Sequence, residues 1–328
     1  MKRDRDCNNP GEVFAFTKEQ KEIHKKGLTL FTTPRFMNEY FYHYVVGRYL
    51  IIESKINSIE DDDDFITFKS KTYFRGAVDL DFKCRVRDIK GLAKQDNNTP
   101  ISSNILNFIA SVVNIHSYRK LLLNNNQLTR GVFVMDFDYA SCILRQTTGE
   151  ISTNIDSRRR NLSNRGLTEL YVKISKIIMF PIITKASHFA LIVLLPTIYM
   201  VITLSSTNSS NEDVFGYNDA MLKIIAYYNM ITEVPGRPQR RPEEWTIYID
   251  GQNKRPHLNH DGENYSNCGA FVCLYILTIA FHTDIDTVVS SFESGNYLYL
   301  FEDIKVDTIL YKKTLLTVML NDFENFLE

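Results

Sequence analysis

The sequence predicts an α+β fold built around a wholly buried helix, on three observations. Helical segments stand before and after a run of consecutive strands, where βαβ units would alternate the two. The segment CGAFVCLYILTIAF, starting at Cys268, is apolar on all sides, as a helix packed in the middle of its domain must be. Apolar residues make up 44% of the 328 positions and charged residues 23%, which suits a packed core. The length fits one large domain, or a domain plus an extension. No internal repeat is visible.

Taken in order, the first dozen residues are polar and read as disordered. RFMNEYFYHYVVGRYLIIESKI has helical spacing, with Phe36, Tyr40, Tyr44, Val45 and Leu50 near one face. IEDDDDF reads as a surface loop, because four consecutive aspartates repel one another. FITFKSKTYF is strand-like, and DIKGL is a short turn or helix. SSNILNFIASVVNIHSYRKLLL reads as an amphipathic helix with Ser102 or Ser103 as its cap. RGVFVMDFDYASCIL reads as a strand running into a short helix, and 149–166 as an exposed Arg-rich loop.

Beyond that loop, LTELYVKISKI is helical and IIMFPII a strand. SHFALIVLL and TIYMVITL make two more strands. The pair is too short for a membrane span, which requires ~20 residues, and Pro196 divides it. SSTNSSNED is a turn-rich loop, AMLKIIAYYNMI a helix and RPEEWTIYID a further strand. A polar loop, the helix from Cys268 and two C-terminal segments complete the chain, the last ending in a helix, LLTVMLNDFENFLE.

A formal net charge of -1 gives no basic excess to drive general nucleic-acid binding. Arg158–Arg160 and 237–241 are local basic clusters that read as solvated loops. The five cysteines, Cys7, Cys84, Cys142, Cys268 and Cys273, are odd in number and irregularly spaced, behind a polar start without a signal peptide. That argues against a secreted disulfide scaffold and for a reducing compartment.

Cys268 has three readings. As a nucleophile it would lie in the first turn of the buried helix behind the capping residue Asn267, where N–H groups and the helix dipole lower a thiol's pKa. Gly269 would leave room beside it for a substrate backbone. As plain core it would be a small hydrophobe, and Cys273 fits that description well. As a metal ligand it would join His257, His260 and Cys273. Two cysteines five apart on a helix point ~140° away from each other and cannot grip one ion, so no metal site is expected. A nucleophile also needs an imidazole, and His188, at a strand start in KASHFALIVL, is the histidine placed at a sheet edge.

In order, IIMFPIITKASHFALIVL, YMVITLSS and NCGAFVCLYI resemble the ubiquitin-like-protein proteases, the clan of SUMO deconjugases, viral maturation proteases and bacterial effectors. Upstream, DIKGLAKQDNNTPISSNILNFI is similar to the family's opening segment and RGVFVMDFDYASCIL to the one after it. The resemblance covers about Asp88 to the C-terminus. It implies a papain-like cysteine peptidase fold, a central buried helix packed on a mixed β-sheet. It divides the chain into an N-terminal extension over 1–87, an added lobe or mere padding, and a protease domain over 88–328.

The resemblance makes His188 the general base and Cys268 the nucleophile. Phe189 stands where the family has Trp, over the tunnel for the substrate's Gly-Gly end. Three positions depart from the pattern. The orienting Asp falls on Ser205, or on Ser206 if the register slips by one, with Asn208 a substitute. The Gln expected six residues before the cysteine is Gly262, which leaves Gln252, just after the strand WTIYID and ahead of an inserted KRPHLNHDG, to face the oxyanion. The Asp before the cysteine is Asn267, an equally good cap.

The implied activity is hydrolysis of the C-terminal glycyl bond, peptide or isopeptide, of a ubiquitin-like modifier such as SUMO or ubiquitin, without cofactor. The alternatives are a catalytically impaired module that binds such a protein, and a polyprotein-processing protease of a virus or mobile element. The expected partner is a ubiquitin-like protein or its conjugates, with no nucleic acid and no membrane, for a monomer inside the cell, in cytoplasm or nucleus, or inside a host cell if viral or an effector.

Overall fold

The computed structural model describes residues 65–68, 82–93, 100–123, 130–146, 169–185, 187–206, 216–234, 240–249, 268–282 and 284–301. The expected helix over 36–50, the loops at 61–64 and 149–166 and the terminal helix lie outside the described residues.

A hairpin of β1 (Phe65–Phe68) and β2 (Phe82–Arg85) leads directly into α1 (Val86–Ala93). Cys84, Val86, Ile89 and Leu92 are buried, so this segment belongs to the core. The long helix α2 (Ser103–Leu123) follows, then β3 (Arg130–Val134) and α3 (Phe137–Leu144). After α4 (Glu169–Ile174) come β4 (Ser175–Ile183), β5 (Phe189–Leu195) and β6 (Met200–Leu204). Helix α5 (Tyr217–Thr232), a 3-10 turn at Pro242–Glu244 and β7 (Thr246–Ile249) precede α6 (Cys268–Ala280) and α7 (Ile285–Glu293). A 3-10 turn at Tyr297–Phe301 closes the described chain.

The main sheet has the order β3-β4-β5-β6-β7 and is mixed. The outer pairs β3–β4 and β6–β7 are parallel; β4–β5 and β5–β6 are antiparallel. Both faces are covered, so the central strands read as continuous apolar runs in place of an alternating pattern. Side chains still alternate with period two. Ile177, Met179, Leu191, Val193, Ile202 and Leu204 face α2, α6 and α7. Ile178, Phe180, Ile182, Ile192, Leu194 and Val201 face α3 and α5. All residues of α6 are buried, so it is the central helix expected from its composition.

Three local readings change. LTELYVKISKI is helical only to Ile174; Ser175 pairs with Arg130 of β3, and this parallel register draws Ser175–Ile177 into the strand. Apolar positions in so short a segment fit either period, and the partner strand decides. RPEEWTIYID begins as a 3-10 turn, and only its second half is strand.

Helix α2 is not simply amphipathic. Residues 105–110 are all buried, including Asn107. Asn107 Oδ1 accepts the Phe137 N–H at 2.6 Å, and its amide donates to Asp138 at 2.9 Å, at the start of α3. Asp136 caps the same helix by accepting from Tyr139 N–H at 3.0 Å. Further along α2, Asn114 accepts the Val134 N–H at 2.9 Å and donates to the Val134 carbonyl at 2.8 Å, while the Ser117 hydroxyl donates to the Val132 carbonyl at 2.7 Å. These side chains take up main-chain groups that edge strand β3 turns away from β4, as buried polar groups require.

Candidate active site

His188 is placed by the tight connection between β4 and β5. Thr184 N–H donates to the His188 carbonyl at 2.8 Å, Ser187 N–H to the Thr184 carbonyl at 3.0 Å, and His188 N–H to the Thr184 hydroxyl at 3.2 Å. Ser187 adopts the left-handed region, φ 57°, which lets the chain reverse within so few residues. The result puts the imidazole, 1% exposed, at the very start of a buried strand.

Strand β6 runs beside β5 and ends at Leu204, so Ser205 emerges next to the histidine. The His188 Nε2 to Ser205 Oγ distance is 3.1 Å. Ser205 is thereby the residue that meets the ring; the neighbouring Ser206 is also buried. Two tyrosines hold Ser205. The Tyr217 hydroxyl, from the first residue of α5, donates to Ser205 Oγ at 3.2 Å. The Tyr275 hydroxyl, from α6, donates to the Ser205 carbonyl at 3.3 Å.

Cys268 opens α6 and is 5% exposed. Its Sγ accepts the Phe189 N–H at 3.4 Å, across 79 residues of sequence. The sulfur therefore meets the amide that immediately follows His188, and α6 touches both halves of the site: Cys268 at Phe189, and Tyr275 at Ser205. Of the expected partners, His188 and Ser205 meet directly, and Cys268 lies against the residue that follows His188.

Two expectations about this corner are corrected. The N–H groups of the helix start pull the thiol's pKa down, yet not below its ordinary value. Burial pushes it above the ordinary value, and the N–H bonds from Phe189, Gly269 and its own backbone only partly oppose that. Gly269 does not leave a channel for substrate. A Cβ there would meet Ile101 Cβ at 3.1 Å and its carbonyl oxygen at 3.4 Å. The glycine lets the segment before α2 close against α6. Cys273, one and a half turns on, is fully buried core, and its thiol is likewise raised by burial. His257 and His260, with Gln252, Asn267 and Asn208, lie outside the described residues.

Phe189 is half-buried, and its ring meets Phe137 edge-on at 5.6 Å between centroids. Phe137 is in turn fixed by the Asn107 bond to its N–H. Tyr217, Tyr275 and Phe137 were not singled out from the sequence. Tyr217 carried a usable signal: it shares the helical spacing of Ala220, Met221, Ile224 and Ile225, all buried, so its hydroxyl has to find a partner inside.

Comparison with solved structures places this architecture. The C-terminal Ulp1 protease domain in complex with Smt3, the yeast ortholog of SUMO, superposes with a TM-score of 0.51 at 13% identity, over 87% of this chain and 96% of that one. The fold is that of the Ulp1-like SUMO proteases. The Ulp1-like SUMO protease catalytic domain of Chaetomium thermophilum gives 0.50 at 17% identity, over 90% of this chain and 96% of that one. SUMO protease Ulp1 with its catalytic cysteine oxidised to a sulfonic acid gives 0.50 at 13%, over 89% and 98%. No family model matches the chain, and no curated protein matches it in sequence. At such identities the likeness speaks for the fold, the α+β arrangement expected from the segment order.

Proposed function

We propose that the chain is a thiol peptidase that cleaves the C-terminal glycyl bond of a ubiquitin-like modifier. The observation that carries this reading is the 3.4 Å contact of Cys268 Sγ with the amide following His188, whose ring meets Ser205. A fold shared with SUMO proteases supports the substrate class.

In the mechanism, His188 takes the proton of Cys268 and the thiolate attacks the glycyl carbonyl carbon. The carbonyl π pair moves to oxygen, and the Cys268 backbone N–H, with the Gln252 amide as a second donor, holds the oxyanion. As the C–N bond breaks, the imidazolium gives its proton to the leaving amine. Water then adds to the thioester, His188 accepting its proton and returning one to sulfur. In each imidazolium stage both ring nitrogens carry protons, so Nε2 can only donate and Ser205 Oγ accepts.

A second reading is favoured by two facts: Ser205 supplies no charge for the imidazolium, and burial raises the Cys268 thiol. On that reading the chain binds a ubiquitin-like protein without turnover. SUMO and ubiquitin bearing a C-terminal electrophile separate the two. Covalent labelling that disappears in Cys268→Ala supports the peptidase; binding without any labelling supports the module.

A further inference from the structure

Helix α6 supplies two of the contacts that build the site. We propose that Tyr275 is a positioning residue: its hydroxyl ties the end of β6 to the nucleophile's own helix and so keeps Ser205 Oγ within reach of His188 Nε2. The inference rests on the thiol peptidase reading for its purpose, though not for its measurement.

Cys268 and Tyr275 are seven residues apart, two turns of helix, and therefore share one face of α6. At one end Cys268 Sγ accepts the Phe189 N–H at 3.4 Å, at the start of β5. At the other the Tyr275 hydroxyl donates to the Ser205 carbonyl at 3.3 Å, just past the end of β6. Strands β5 and β6 are antiparallel neighbours, so both points lie at the same border of the sheet. Ser205 follows the last pairs of the two ladders, Leu204 with Leu191 and Thr203 with Ile249. Contacts from outside the sheet therefore set where its main chain stands, and the bond to its carbonyl is one of them.

That placement matters to the ring. To take the thiol's proton at Nδ1, the neutral imidazole carries its own proton on Nε2 and donates it to Ser205 Oγ, 3.1 Å away. The same bond is made before the transfer and strengthens after it, when the ring is charged. It does so only while Oγ stays in line, because a hydrogen bond weakens steeply as it bends. Through Tyr275, the helix that brings the sulfur also sets the ring's acceptor. The Tyr217 O–H, from α5, donates to Oγ at 3.2 Å, so side chain and main chain of Ser205 are held by different helices. The ionisable groups that these contacts bring to this corner are Cys268 and Tyr275 of α6, Tyr217 of α5, and Lys185 of the β4–β5 connection, which packs against Gly216.

Tyr275 is fully buried, its ring edge-on to Phe301 at 5.2 Å between centroids and tilted against Phe271 at 6.4 Å. Tyr275→Phe keeps that ring and removes only the hydroxyl. The test uses the full chain and iodoacetamide, with each modified cysteine identified by mass spectrometry. Exposed Cys142 is counted separately, and Cys273, fully buried on the same helix, reports any opening of the fold. Tyr275→Phe is expected to slow Cys268 alkylation at neutral pH about fivefold, and by no more than Ser205→Ala does. Its pH profile should move upward while Cys273 stays unmodified. In the Ser205→Ala background Tyr275→Phe should change nothing further, because the tyrosine acts through the serine.

An unchanged profile in Tyr275→Phe, an equal loss in the Ser205→Ala background, or alkylation of Cys273 overturns the positioning role. If SUMO and ubiquitin probes fail to label while alkylation follows the expected pattern, the substrate reading falls and the positioning role stands. If Cys268 alkylation is the same in His188→Gln as in the parent chain, both fall.

Discussion

At Ser205 a neutral hydroxyl faces an imidazole that would carry charge in the proposed reaction. Charge-assisted hydrogen bonds are about twice as strong as neutral ones, so Ser205→Asp should raise probe-labelling rates roughly fivefold. A falling rate would mean that the buried carboxylate is not met by His188. The thiol makes a second prediction. With its pKa raised by burial, Cys268 in His188→Gln should react only above the ordinary cysteine range, its alkylation climbing with pH where the parent chain's is already level. Much of this site was legible from residue order: a histidine opening a buried strand, and a cysteine opening an apolar helix. The choice of Ser205 over Ser206 was not, because one step of register at a strand end moves a side chain to the other face. Nor was the direction of the thiol's shift. The sequence shows the helix start that favours an anion, but not the packing that disfavours it.

Elements are joined here by polar side chains that hydrophobic patterning does not reveal. Asn107 lies among apolar neighbours in α2 and would be read as a flaw in a helical stripe, yet it closes the start of α3. Replacing Asn107 by Leu leaves the Phe137 N–H without that acceptor. It should cost about 1–3 kcal/mol in urea denaturation, and loosen Phe137 against Phe189. The Asp136 cap should be worth ~1 kcal/mol, measured as Asp136→Ala. Gly269→Ala gains helix propensity but presses on Ile101 at a Cβ and a carbonyl, atoms that cannot swing aside. The net loss should be ~1 kcal/mol, against a substitution that would stabilise an open helix position. The succession of strands along the chain and the two-strand reading of 189–204 followed from apolar runs divided at Pro196. The end of α4 did not, since it is set by the pairing of Ser175 with Arg130.

On the scale of the whole molecule, helices on both faces of one mixed sheet leave several thiols in the interior. Cys84 is pushed up to about 12 by burial and by the nearby Asp88 carboxylate; Cys268 and Cys273 are also raised. For Cys84 and Cys273 the folded state holds the proton more tightly than the unfolded chain. Stability is therefore intact below the ordinary thiol pKa of ~8.5, and declines as pH rises from there toward the folded values. Urea midpoints should fall between pH 8 and pH 11, with a shallower fall in Cys84→Ala; equal slopes would contradict the assignment. The α+β class followed from the grouping of helices and strands, whereas covering both sheet faces needed the tertiary packing of α3 and α5.

Because Asn114 and Ser117 already engage the Val134 N–H and carbonyl and the Val132 carbonyl on the outer margin of β3, a foreign extended segment would have to displace them to pair along that flank.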